Sequence, residues 1–382
     1  MELYFHIPFC VRKCFYCDFL SAPADGQTKA AYMEALRRET AIRAEEYRSG
    51  SVTSVFIGGG TPSAVEAEEI AALLSVVRQH YPLAEDAEIT IEINPGTATA
   101  EKLEIYRTAG INRLSIGLQS ADDRELAAIG RIHTWQQFLD TYRLAVGTGF
   151  RNINVDVMST LPGQTLESYR GTLEKVLALT PQPTHISAYS LILEEGTAFW
   201  DMMQRGELTL PDEDADRQMY SETKRILAEA GYARYEISNY AKPGHACRHN
   251  CGYWRRDEYA GFGIGAASLV RERRFRNGDS LTAYLRDPVG CREEIQELSR
   301  QEQMEEFMFL GLRMTEGVSE REFEDRFGQK LSDIYGGVIQ ANLRDGLLEW
   351  QCGRDDGNVR RLALTEKGLD ISNYVMAQFL LT

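Results

Sequence analysis

Hydrophobic and polar positions along the chain follow two rhythms. Short apolar, β-rich runs fall at residues 3–7, 54–57, 88–93, 113–118, 153–158 and 186–193, with a less regular one at 234–238. Between them, residues 30–47, 65–80, 100–109, 124–129, 135–148, 166–179 and 212–230 place apolar side chains near helical spacing. Such alternation implies parallel strands joined by helical crossovers. Six or seven units within about 240 residues predict an α/β fold built on a partial (β/α)6-type barrel, because eight full units take ~250 residues before insertions.

Beyond Gly263 the alternation stops. From about residue 301 the pattern becomes helix 302–314, helix 320–327, helix 331–345 and a hairpin around Asp355-Asp356-Gly357. That order predicts a small, mostly helical, winged-helix-like C-terminal domain. The expected organisation is a barrel at 1–240, a connecting segment at 241–300 and the terminal domain at 301–382.

Charge removes the partner most often associated with a winged helix. The chain of 382 residues has 57 acidic and 42 basic side chains, a net of -15. Residues 301–382 alone hold 15 acidic and 9 basic side chains, a net of -6. This surface repels phosphate backbones, so nucleic acid is not an expected ligand and the domain is read as structural or as a lid. There is no 18-residue apolar run, and Met1-Glu2 lead into Leu3-Tyr4-Phe5 without a basic start. The expected location is the cytoplasm.

Seven cysteines are an odd number, and three fall within eight residues. Cys10, Cys14 and Cys17 follow the first strand in the spacing CxxxCxxC. Thiolates hold iron–sulfur clusters, commonly four at a time, so three on one loop leave one iron of a [4Fe–4S] cluster open to an exchangeable ligand. The alternative is zinc, which in a structural site wants four protein ligands, and this loop has no nearby His or Cys to close the tetrahedron. The second strand runs into Gly58-Gly59-Gly60-Thr61-Pro62, where glycines let the backbone approach a ligand. Glu92, Gln119 and Asp156 lie in or at the ends of later strands, where the sites of such barrels assemble. Each alone reads as a hydrogen-bonded structural group; with the cysteine loop they read as a site. Arg131 either neutralises a carboxylate there or forms a surface salt bridge.

The cysteine spacing, with Tyr16 before Cys17, resembles the signature of the radical S-adenosylmethionine (SAM) superfamily. The runs HIPFC-x3-C-x2-C-D-F, GGGTPS, EINP, RLSIGLQS, ISAYSLILEEGT, RHNCGYW and GFGIGAAS extend the likeness over nearly the whole chain. Together they resemble the oxygen-independent coproporphyrinogen oxidase-like radical SAM proteins. The resemblance implies a [4Fe–4S] cluster on Cys10, Cys14 and Cys17. It also implies SAM contacts at Tyr4, Tyr16, Gly59, Gly60, Thr61, Glu92, Gln119, Arg131, Asp156 and Ala267. Where the family has Asp-Leu-Ile-Tyr-Gly-Leu, this chain has Asp156-Val-Met-Ser-Thr-Leu161, which puts the pocket wall at residues 158–160 in question.

Two branches of that family differ in function. Coproporphyrinogen dehydrogenases carry a fourth cysteine two residues after the third; here that position is Phe19. The heme-chaperone branch has a short start and a His-Asn-x-x-Tyr-Trp element, matched by His249-Asn250-Cys251-Gly252-Tyr253-Trp254 in segment 241–300. Imidazole is a good axial ligand for heme iron, and Tyr and Trp offer flat apolar surface to a porphyrin. The resemblance therefore implies a protein that binds heme at His249 and passes it to an acceptor protein. It would use a cluster, SAM and an electron donor, touch a membrane only through its acceptor, and work as a monomer or dimer. The other reading is a coproporphyrinogen III oxidase or another radical SAM enzyme acting on a porphyrin-like substrate. Cys247 and Cys251 read as incidental thiols, with metal or heme contact as the alternative. Cys291, Cys352, His6, His80, His133, His185 and His245 receive no role.

Overall fold

A computed structural model describes residues 1–47, 50–352 and 359–381. Six parallel strands succeed one another in a sheet: β1 (Glu2–Ile7), β2 (Val52–Gly59), β3 (Leu83–Ile93), β4 (Arg113–Gln119), β5 (Asn152–Ser159) and β6 (His185–Ser190). Helices Gly26–Arg43, Ala67–His80, Ala100–Thr108, Trp135–Gly147 and Leu166–Leu177 cross between them. Their starts are written locally. Asp25, Thr99, Thr134 and Thr165 each accept a backbone N–H from the first turn, and the last two complete capping boxes. Apolar helix positions such as Ile70, Leu73, Leu74 and Val77 bury against Leu3, Phe5, Ile7, Val55, Ile57 and Ile91 of the strands.

The opposite face of the strands is polar, since side chains alternate along a strand. Register aligns Glu2 with Ser54 and Glu88, Thr90 with Arg113, Glu92 with Ser115 and Asn154, and Gly117 with Asp156 and Ser187. The interior of the barrel is thus a stack of polar layers inside an apolar jacket.

Among the described residues the sheet has 12 strands, in the order β12 (Arg292–Glu297), β11 (Arg273–Asn277), β10 (Ala267–Val270), β9 (Tyr259–Phe262), β1, β2, β3, β4, β5, β6, β8 (Asn239–Ala241), β7 (Ala233–Arg234). Residues 234–238, expected as one strand, instead link β7 (Ala233–Arg234) to β8 (Asn239–Ala241) at an antiparallel edge. Glu236 accepts the backbone N–H of Ser238 and the side-chain amide of Asn239, which turns the chain there. Beyond β1 the sheet continues into four strands that the sequence pattern did not predict. β9 (Tyr259–Phe262) is parallel to β1, and β10 (Ala267–Val270), β11 (Arg273–Asn277) and β12 (Arg292–Glu297) follow antiparallel.

The last part of the chain has its own core of Phe307, Phe323, Phe327, Tyr335, Ile339, Leu362 and Phe379. Helices Arg300–Gly311, Glu320–Phe327 and Leu331–Arg344 pack with a small sheet ordered β13 (Val318–Ser319), β15 (Arg360–Leu364), β14 (Leu348–Cys352). This agrees with the winged-helix-like expectation; the turn at Asp355-Asp356-Gly357 lies outside the described residues. Among the described residues no helix is long and apolar enough to cross a membrane.

Candidate functional site

The cysteine loop leaves the C-terminal end of β1 and is pinned at both ends by its own backbone. Phe9 bridges Ala22, Cys10 N–H reaches Ala22 O, and Phe15 N–H reaches Ile129 O. The turn after β2 hooks onto the same loop: Gly60 N–H donates to Ile7 O and Thr61 N–H to Phe9 O, at 2.9 and 2.7 Å. That closeness requires glycine. A Cβ on Gly60 would lie 2.7 Å from the Phe9 carbonyl oxygen and 2.9 Å from Ser21 Cβ.

These elements enclose a cavity of about 330 Å³ at the C-terminal ends of the strands. Cys10, Cys14 and Cys17 line it together with Tyr16, Gly59, Gly60, Thr61, Glu92, Gln119, Arg131 and Asp156. Tyr4 and Ala267 do not; both line a neighbouring cavity. Residues 158–160 wall neither one. Met158 packs with Ile129, Leu161, Leu191 and Phe199, and Thr160 Oγ1 accepts the Leu191 N–H.

Arg131 is not the surface salt bridge that its sequence context allowed. Its Nη1 lies 3.8 Å from Cys14 Sγ, its Nη2 donates to Asn94 Oδ1 and the Gly117 carbonyl, and its buried Nε has no partner among the described residues. A guanidinium at the thiols, with a donor to spare, suits a negatively charged occupant. Asn94 escaped the sequence reading although it stands in the EINP run; its amide ties Thr61 Oγ1 to Arg131. Asn154, which donates to Asp156, and Tyr189, which donates to Gln119, were missed too, because a polar residue inside a strand gives no sign of which way it faces.

Two carboxyls meet at the floor of this cavity. Burial, and then the neighbouring Asp156, push Glu92 up to about 8, against the Gly59 N–H that Glu92 accepts at 3.0 Å. Asp156 is raised as well, by burial above all, in spite of hydrogen bonds from Asn154 and Ser187. Near neutral pH the Glu92 side is therefore largely an uncharged acid, primed to ionise when a cation arrives.

The three thiols are free. Among the described residues no three His, Cys, Asp or Glu side chains converge as a single ion would need. A cluster that binds each thiolate through a different iron makes no such demand, so the donor set fits the cluster better than zinc.

The neighbouring cavity, about 550 Å³, lies between β1, β9, β10 and the helix Arg300–Gly311. Tyr253, Trp254, Tyr259, Leu269 and Leu310 give it a largely apolar and aromatic wall. Phe19, more than half exposed, lines both cavities and forms the partition between them. His6 lines it too and is fixed in one tautomer. Burial lowers its pKa and keeps it neutral, so Nε2–H donates to Leu20 O at 2.8 Å and Nδ1 accepts from Tyr4 Oη at 3.0 Å.

His249 stands behind this wall. It stands on a helix, Arg248–Trp254, whose N-terminal N–H groups are received by the buried Glu88. The His249 ring is 2% exposed. Its Nδ1 meets Ser54 Oγ at 2.8 Å, its Nε2 meets Tyr253 Oη at 3.1 Å, and Phe56 stacks on it at 5.1 Å. Burial, then Arg113, lower its pKa to about 3, so the imidazole is neutral, as iron ligation requires. Cys247 and Cys251 line neither cavity, and burial pushes both thiols up, Cys251 to about 12. They are inert protonated groups at neutral pH.

Comparison with known proteins agrees with this architecture. Residues 4–176 match the radical SAM superfamily and residues 298–371 the HemN C-terminal domain. Coproporphyrinogen III oxidase (HemN) from Escherichia coli superposes with a TM-score of 0.83 over 99% of this chain and 89% of its own, at 22% identity, which establishes a shared fold. The molecule thus has the radical SAM barrel followed by a HemN-type C-terminal domain, an architecture that carries a [4Fe–4S] cluster and SAM. Heme chaperone HemW of Lactococcus lactis is 37% identical over 99% of this chain and 97% of its own, and that of Bacillus subtilis 35% identical over 99% and 98%. The E. coli HemW is 41% identical over 76% of this chain and 75% of its own. The chain belongs to the HemW family.

Proposed function

We propose that this protein is a cytoplasmic heme chaperone, which holds heme in the 550 Å³ cavity and passes it to an acceptor protein. The observation that carries this reading is the juxtaposition of two chambers across Phe19, one lined by the cysteines and the other walled by the Tyr-Trp end of the His249 helix. The volume and aromatic lining of the second suit a flat apolar ligand. Kinship with proteins named for heme, and Phe19 in place of a fourth cysteine, support it over coproporphyrinogen oxidation.

In this reading Cys10, Cys14 and Cys17 hold the cluster, and Gly59, Gly60, Thr61, Glu92, Gln119, Arg131 and Asp156 receive SAM beside it. When bound, the cluster supplies electrons, received from a donor, to the SAM sulfonium. Tyr4 and Ala267, also expected at SAM, line the neighbouring cavity. Glu92 gives the SAM site a pH signature. SAM carries a net positive charge and favours the carboxylate, so binding below about pH 8 releases a proton. Affinity is expected to weaken as pH falls from about 9 to about 6.5, by at most about tenfold per unit. Calorimetry in buffers of different ionisation enthalpy reads the released proton, and Glu92→Gln should flatten the slope; a pH-independent affinity would contradict the assignment.

His249 is the proposed axial ligand, with Tyr253 as its gate, because the phenol occupies the nitrogen that iron would take. Heme titration of anaerobically reconstituted protein should give a Soret band of imidazole ligation. His249→Ala should shift that band, whereas Tyr253→Phe, which frees Nε2 but keeps the ring, should retain it and tighten binding. Cys247→Ser and Cys251→Ser should change neither. Identical spectra for wild type and His249→Ala, together with SAM-consuming decarboxylation of coproporphyrinogen, would replace the chaperone reading with the enzyme.

A further inference from the structure

The wall of the larger cavity contains donors that the protein itself does not use. Arg256 follows the helix Arg248–Trp254 with φ 60°, a left-handed backbone that a non-glycine residue adopts only when its surroundings hold it. Its guanidinium is almost fully buried. Nε donates to Glu306 Oε2 at 2.8 Å and Nη2 to Glu272 Oε2 at 2.5 Å, but Nη1 has no acceptor among the described residues. Nor, among them, has the buried Nε1 of Trp254, another residue of the cavity wall. Arg274, at the same wall and partly exposed, shares Glu306 through Nη1 at 2.6 Å.

A guanidinium N–H is costly to leave unpaired, and what sets Arg256 Nη1 and Trp254 Nε1 apart from the other unpaired buried donors is that both residues line this cavity. The local charge count points the same way. Arg256, Arg274 and Arg326 are joined to Glu272 and Glu306 in one network, three cations to two anions. The acid that lines the cavity itself, Asp18, is on the cysteine loop. One more carboxylate would balance the network and satisfy the two orphaned donors.

We propose that Arg256, Arg274 and Trp254 form a carboxylate subsite, so that the cavity takes a flat apolar ligand bearing an acid group and orients it by that group. This rests on the heme reading above; for heme, the acid is a propionate. A ligand held this way directs its carboxylate towards Arg256 and Arg274 and its apolar edge towards Phe19 and the Tyr253 gate. The subsite selects by the presence of the acid, because a ligand without one buries the same donors unpaired.

The test compares heme with heme dimethyl ester, which keeps the macrocycle and iron and removes both charges, on the full-length reconstituted protein by absorbance titration. Wild type should bind the diester about tenfold or more weakly than heme. Arg274→Gln should lose a similar factor for heme and nothing further for the diester, and Arg274→Lys should recover part of the loss. Trp254→Phe, which keeps an aromatic ring and removes only the N–H, should likewise weaken heme alone. If wild type binds both ligands within about twofold, or if Arg274→Gln weakens both equally, the subsite is overturned while heme binding stands. If wild type binds neither, the heme reading fails and the subsite with it.

Discussion

Replacing Cys10, Cys14 or Cys17 singly with alanine is expected to bring iron and sulfide after anaerobic reconstitution down to background, with loss of the broad visible absorption of a [4Fe–4S] cluster. All three thiols line one cavity, and three thiolates is the least number that leaves only one iron open. The fold should survive. The loop is held by backbone contacts, Phe9 with Ala22 and Phe15 with Ile129, and the apolar jacket around β1 contains none of the three ligands. Circular dichroism and thermal unfolding should therefore match those of cluster-free wild type, and Cys291→Ala and Cys352→Ala should leave the cluster in place. Near-stoichiometric iron in a triple alanine variant would show that the metal sits elsewhere.

Gly60→Val is expected to abolish the response of the reduced cluster's electron paramagnetic resonance spectrum to SAM. Even alanine should act strongly, since its Cβ would press on a carbonyl oxygen and on Ser21 rather than on the yielding end of a long side chain. Overpacking of this kind costs about 1–3 kcal/mol, equivalent to roughly 5–150-fold in SAM affinity if the strain is relieved by moving the loop off its binding position. The informative control is Gly171→Ala in the helix Leu166–Leu177, where a Cβ meets nothing within 4 Å and helix propensity predicts a gain in stability of up to about 1 kcal/mol. A full spectral response in Gly60→Val would remove this turn from the SAM site.

The six parallel strands and their crossover helices were legible because β-rich apolar runs alternate with helical segments, four of the five crossovers starting at a side-chain cap, and most boundaries fall within a few residues. The cysteine loop was legible from spacing alone. β11 and β12 were not, because Arg-Arg-Phe-Arg-Asn and Arg-Glu-Glu-Ile-Gln-Glu carry charge at most positions, as suits strands at an exposed sheet edge. β9 and β10 are only four residues each, too short for a period to register. The site was legible in its residue types and not in its partition. Tyr4 and Asp156 both sit on strands whose side chains alternate, yet only the register of β1 against β9 reveals that Tyr4 belongs to the second chamber. His249 shows the same limit: its polar neighbours in sequence suggest solvent, whereas Glu2, Ser54 and Glu88, brought from three other strands, bury it.

The place of β1 in the sheet also bears on how the molecule is made. β1 lies between β2 and β9, so the earliest of these twelve strands to be synthesised is an interior strand. Its partner on one side follows within about fifty residues; its partner on the other, beginning at Tyr259, comes 257 positions after Glu2. At 5–20 residues per second that separation is about 13–50 s of synthesis. Throughout this interval the backbone of β1 along the future β9 edge has no strand to pair with, and Phe5 has no Phe262 to stack on at 4.9 Å. The cysteine loop is therefore synthesised long before most of the second chamber's wall, residues 253–310. A nascent chain of this design has its first chamber's loop early, and completes its second chamber only once translation is well past the middle.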